Sequence, residues 1–175
     1  GAPEVSFFQQ ARAVGLDKKL KCISEAGGDA VAKALGKDMP ASFWGPSFWP
    51  YHVEPYKSNK LSQQLYKDWV AMTKDPFPAT LVNYGYRGAQ TLFEGIKRAK
   101  STENEAVIKG IEGLTFETVA GPYRIRKEDH QGLGHVFIAN YTASTKEPYF
   151  DVKSVQAVSE ESVVESPSPG AEYVM

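Results

Sequence analysis

Residues 82–99, VNYGYRGAQTLFEGIKRA, constrain the fold of this chain more than any other stretch. They place Gly85, Ala89, Leu92, Phe93 and Ile96 at i, i+4, i+7, i+8 and i+11. That spacing is the stripe of a helix pressed against a sheet. A second helix has its own start signal: Thr102 is placed to cap it, with Glu105 reaching back. Ala106, Val107, Ile108 and Ile111 then follow before Gly113. A hairpin-like stretch, Phe116 to Ala120, leads into GPYRIRKEDHQGLG and an apolar strand, His135–Ala139. Asp129, in the polar turn Asp129-His130-Gln131, reads as a carboxylate that bonds local backbone and fixes the turn.

Upstream, Glu4 to Val14 reads as a helix with Phe7, Phe8, Ala11 and Val14 inward and Gly15 at its C′ position. Leu20–Ser24 is expected as a short strand, with Cys22 a buried thiol inside it. Asp29 is placed to cap the short helix Ala30–Leu35, which Gly36 closes. This alternation argues for a parallel sheet covered by helices. The pattern breaks at Ala41–Tyr56, which holds three prolines and six aromatic residues. It is too proline-rich for a central strand, and we expect a short strand followed by an extended crossover. Ser58 or Asn59 then starts a helix with Leu61, Leu65, Trp69 and Met72 on one face. Tyr149–Val155 is expected as an edge strand. The Ser-, Glu- and Pro-rich remainder, 156–175, has the composition of a weakly ordered tail.

Charge and motifs exclude several functions. Twenty Lys and Arg against 21 Asp and Glu leave no basic surplus for phosphates, so nucleic acid is not an expected partner. No apolar run approaches the roughly 20 residues of a membrane span. The start, GAPEVSFF, carries no export signal, as a mature or truncated chain would not. Cys22 is alone, so no intramolecular disulfide is expected. There is no G-x-S-x-G elbow, no P-loop and no dinucleotide fingerprint. His52, His130 and His135 lack the spacing of a zinc site. We therefore expect no catalysis, no cofactor and no metal.

Two amphipathic helices feeding a Gly-Pro hairpin that ends in Asp-His-Gln, with FFQQARAVGLDKK upstream, resemble one protein family. It is the leucine/isoleucine/valine-binding family of ABC importer solute-binding proteins, the type I periplasmic binding proteins. The resemblance runs to about Tyr141. It implies an α/β fold of two lobes with doubly wound parallel sheets, joined by three crossing strands and closing on a ligand. It also implies that only the C-terminal half is present. Residues 1–46 would belong to the second lobe, 47–134 to the first, and 135–155 would return to the second. The physical argument points the same way: large apolar helix faces with few strands to cover them require a partner. The expected partners are the N-terminal half of the same protein, an ABC permease and a small ligand, in the periplasm. The ligand class is an amino acid, branched-chain or aromatic, or a related small carboxylate. A ligand-sensing regulatory domain of the same fold is the alternative.

Glu25 stands just past a strand end, where open α/β sheets bind ligands. It is either a solvated loop carboxylate or, as the resemblance implies, the acid that faces a ligand ammonium. The resemblance also brings the Gly1-Ala2-Pro3 loop to the ligand. Many family members carry an aromatic residue where Gly1 stands, and glycine leaves more room. Asn83 and Tyr84, at the start of the long helix, either touch the ligand or are buried in the interlobe wall. Trp44, with Phe43, Phe48, Trp49 and Tyr51, either packs the crossover or lines the cleft mouth.

Overall fold

A computed structural model describes residues 2–167. Helix α1 (Ala2–Ala13) and helix α2 (Asp29–Leu35) cover strand β1 (Ser42–Ser47). Helices α3 (Lys60–Thr73), α4 (Val82–Ala99) and α5 (Asn104–Ile111) follow. The chain then forms β2 (Thr115–Thr118), β3 (Gly121–Ile125), β4 (Gly132–Leu133), β5 (His135–Ala143) and β6 (Phe150–Ser159). Two three-stranded sheets result, in the orders β1-β5-β6 and β2-β3-β4, with antiparallel pairing throughout. The parallel element is a single bridge between Ser24 and Trp44.

The main core lies under α1 and α2. Phe8, Val31, Ala32 and Leu35 meet Phe43, Ala139 and Tyr141 there. Phe43 packs between Phe8 and Tyr141, at ring separations of 5.0 and 5.2 Å. Pro46 is tolerated in β1 because the free side of that strand carries only the bridge to Ser24. β1 ends at Ser47, and the chain then turns sharply. Trp49 is fully buried and donates its indole N–H to Ser62 Oγ of α3 at 2.8 Å. The expected strand-then-crossover at Ala41–Tyr56 is therefore present, with Trp49 where the chain leaves the first sheet. Asn59 caps α3 by accepting from Ser62 N–H. Asp129 accepts from Gln131 N–H and pairs with Arg126, which holds its carboxyl down at about 2.

Several expectations need correction. Leu20–Ser24 is not a strand; only Ser24 pairs, with bonds from Trp44 N–H to Ile23 O and from Glu25 N–H to Trp44 O. A neighbour on one side alone leaves Cys22 exposed rather than buried. Asp29 does not cap α2; Gly28 holds that position and the carboxylate turns elsewhere. Glu103, not Thr102, precedes α5, without a side-chain cap. The tail does not begin at 156, because β6 continues to Ser159, paired with His135. Glu160 then clasps Gly134, N–H to O and carboxylate to N–H. Composition misled here: an edge strand needs a backbone partner and little apolar burial. Residues 168–175 lie outside the described residues.

The stripe on α4 is real but uncovered. The α4–α5 contact runs instead through Gly95 and Gly110, where a Cβ would sit 2.3 Å from Ile111 Cγ2 or 2.5 Å from Gly95 O. Leu92 and Phe93 are left 50% and 59% exposed, and Met72 of α3 78%. Replacing Leu92 and Phe93 together by Ser and Gln should change the stability of the 175-residue chain by no more than about 0.5 kcal/mol, as at other surface sites. The same change should reduce its self-association, read by sedimentation velocity. A loss of several kcal/mol in urea unfolding would mean that α4 buries this face.

Candidate functional site

The segment after Ser24 builds a glycine-walled niche around one carboxylate. Glu25 is half-buried, and its two oxygens accept from the backbone N–H groups of Gly27 and Gly28, the latter at 2.6 Å. Gly28 has φ 55°, and a Cβ there would lie 2.0 Å from Pro46 O, so only glycine lets this loop rest on β1. A Cβ on Gly45 would meet Glu25 Oε1 at 2.6 Å. Burial pushes the Glu25 carboxyl above its ordinary value, while the bonds from Gly27 and Gly28 pull it back. Each oxygen retains lone-pair capacity beyond its backbone bond.

One residue further, Asp29 joins three parts of the chain. Its carboxylate accepts the Thr80 N–H at 2.8 Å and the Thr80 hydroxyl at 2.6 Å. Thr80 Oγ1 in turn accepts from Phe48 N–H at 3.1 Å, and Asn83 Nδ2 donates to Phe48 O at 2.6 Å. Asp29, Thr80 and Asn83 are all buried. Desolvation raises the Asp29 carboxyl, opposed chiefly by the two Thr80 bonds. Tyr84 follows on α4, exposed at its ring, which packs 4.7 Å from Phe48 and lies beneath the Arg87 guanidinium at 5.0 Å.

The sequence-derived site residues thus fall into two linked groups. Glu25 and Trp44 are joined through backbone, and Trp44 is half-buried on β1. Asn83 and Tyr84 gather on Phe48. The two groups communicate through Asp29 and Thr80 rather than by contact. Ala2 lies in the first turn of α1, not in a loop, and borders a cavity of about 470 Å³ with Val5, Val31 and Ala34. Gly1 lies outside the described residues. Sequence reasoning missed Thr80 and misassigned Asp29. A Gly-Gly pair before Asp29 signalled a close approach, and nothing in PATL signalled its partner. Among the described residues no cluster of His, Cys, Asp and Glu is arranged to hold a metal, and no helix is long and apolar enough to cross a membrane.

An α1/α2-covered sheet and a separate helix-and-hairpin unit, between which the chain passes at Phe48 and returns at Gly134, define an α/β protein of two packing units. The family model described as "Periplasmic binding protein" matches residues 1–146. The chain belongs to that family. Its fold is that of the type I members, as solved structures indicate. An ABC-type branched-chain amino acid transporter protein from Rhodopseudomonas palustris superposes with TM-score 0.69 at 22% identity, over 86% of this chain and 39% of that one. An ABC transporter substrate-binding protein from Sphaerobacter thermophilus gives 0.73 at 16% identity, over 91% and 42%. A solute-binding protein from Rhodopseudomonas palustris, solved with 3,4-dihydroxybenzoic acid, gives 0.64 at 18%, over 86% and 41%. The chain therefore spans about two fifths of the length of these structures. No curated protein is significantly similar to it in sequence.

Thr80→Val removes a hydroxyl that serves both Asp29 and Phe48. It should destabilise the chain by about 1–3 kcal/mol, the cost of stranding buried polar groups, as read by urea unfolding. Asp29→Asn should cost less and alter the pH profile. The folded-state Asp29 carboxyl is raised, so its protonated form favours folding below the unfolded value of 3.8, and that advantage is lost as pH rises through the folded value. The stability of the native chain relative to Asp29→Asn should accordingly fall over that window and stay flat above it. A constant difference across pH would refute the assignment.

Proposed function

We propose that this chain is the C-terminal part of an extracytoplasmic, periplasmic solute-binding protein of an ABC importer. It captures an amino acid, branched-chain or aromatic, or a related small carboxylate, by closure of two lobes. Residues 1–46 and 135–155 contribute to the second lobe and 47–134 to the first. The N-terminal half of the same protein covers the bare face of α4, and an ABC permease receives the closed form. The protein binds and releases; it performs no chemistry.

The single observation that carries this reading is the Glu25 carboxylate. It is fixed by two backbone donors at the edge of a glycine niche, half-buried, with acceptor capacity left over. Such a group is organised in advance for an ammonium, because its orientation costs nothing on binding. Tyr84 offers an exposed ring for an apolar side chain, and Trp44 another at the niche. Asn83 spends its amide N–H on Phe48, while its Oδ1, buried and without a protein partner among the described residues, faces the junction as an acceptor. Gly1 and Ala2 complete the loop side. The names of similar structures, a branched-chain amino acid transporter protein and a dihydroxybenzoate complex, agree with a small carboxylate.

Losing one partner of a buried ion pair costs about 3–5 kcal/mol. In the polypeptide with both lobes, Glu25→Gln should therefore weaken leucine binding by orders of magnitude. Binding of 4-methylpentanoate, which lacks the amine, should barely change. Calorimetry on that pair decides it, and equal leucine affinities for the native and substituted proteins would retire the amino-acid assignment.

A further inference from the structure

The rings that follow the crossover enclose a second site, apart from the Glu25 niche. Tyr51 and Tyr66 stack at 5.4 Å and 25°, with Trp49 packed 4.9 Å from Tyr51 on one side and His52 edge-on at 4.7 Å. Two cavities share Tyr51, His52 and Tyr66 as walls. One, of about 360 Å³, continues to Lys57, Ser62 and Gln63. The other, of about 270 Å³, lies toward Phe77, Pro148 and Val152. The first is within the size range of small-molecule sites.

Its polar groups are few and unspent. His52 Nε2 is buried and has no hydrogen-bond partner in the protein among the described residues. Burial lowers the basicity of that imidazole, so the ring stays neutral and one nitrogen accepts while the other donates. Lys57 is exposed at the rim. Its backbone is tied down, N–H to Val53 O and C=O from Gln63 Nε2. The Ser62 hydroxyl is already bonded to Trp49. Flat aromatic walls, one cation at the rim and one neutral imidazole inside describe a ligand with a planar ring, a negative charge at one end and a hydroxyl at the other. A lysine at the rim disfavours cationic ligands.

We infer that the cavity bounded by Tyr51, His52, Lys57 and Tyr66 is a second binding site, for a small hydroxylated aromatic carboxylate. The ring packs on the tyrosines, the carboxylate meets the Lys57 ammonium, and the ring hydroxyl bonds His52 Nε2. The site does not use Glu25, so it stands or falls separately from the cleft reading.

The test titrates 4-hydroxybenzoate, benzoate and 4-hydroxybenzamide into the full polypeptide, with the His52 ring NMR signals as the local readout and calorimetry for affinity. The expected result is saturable movement of the His52 signals by 4-hydroxybenzoate, with the uncharged amide about tenfold weaker. Lys57→Ala, a change at an exposed residue that leaves the fold intact by circular dichroism, should erase that tenfold difference. His52→Phe should erase the preference for 4-hydroxybenzoate over benzoate. Glu25→Gln should leave all three affinities unchanged. No movement of the His52 signals at millimolar 4-hydroxybenzoate would overturn the proposal, as would binding that responds to Glu25→Gln and ignores Lys57→Ala.

Discussion

The buried bond pair between Asp29 and Thr80 is the contact on which the rest of the arrangement depends. It ties the first turn of α2 to the segment that launches α4, 51 residues later. Through Thr80 Oγ1 it also fixes Phe48, the point where β1 ends and the crossover begins. Hydrogen bonds to a charged group contribute about 1.5–3 kcal/mol each, more than neutral ones. Against that stands the desolvation of the carboxylate, which raises its proton affinity. The geometry offsets this cost because both oxygens are satisfied from one residue, with no long side chain to order. Gly28 makes it possible: with no Cβ, it lets the loop touch Pro46 O and brings Asp29 to Thr80.

The other ties across the junction are weaker in kind. The Lys33–Asp75 pair is largely open to solvent, and such pairs contribute about 0–1 kcal/mol. Asn59 Nδ2 reaches Thr118 O only at 3.4 Å. On the return crossing, Glu160 clasps Gly134 through two bonds, again without apolar burial. The large apolar contacts lie within each unit: Phe8, Phe43 and Tyr141 in one, Gly95 against Val107 and Ile111 in the other. Rigid units joined by a few directional polar contacts form the arrangement that hinge motion requires.

The helices were legible in the sequence because their signals are local. The period of 3.6 placed α4, and Asn59 placed the start of α3 through its own side chain. The strand 20–24 failed for the opposite reason: a strand exists only by its neighbours, and Lys19–Cys22 have none among the described residues. The stripe on α4 was legible as a face, but its exposure was not, since periodicity reports what a surface can bury and not what covers it. Glu25 was legible by its position after a strand end. Its glycine niche was not, because Gly45 comes from β1, 20 residues away. Asp29 read as a cap because Asp before a short helix usually is one. Only the fold brings Thr80 to it.

Glu25 and Asp29 show how one short loop separates two tasks. Both are acids, both lie beside Gly27-Gly28, and burial raises both above their ordinary values. Asp29 is buried, and its partners come from distant chain; freeing it would strand Thr80 and Phe48, so it is committed to structure. Glu25 is half-buried, and its partners are the next glycines of its own loop. It is oriented without being consumed. The difference lies in where the hydrogen-bond donors come from, not in the acids themselves. A carboxylate held by its own loop keeps its charge directed at the opening, while its neighbour secures the joint about which that opening would close.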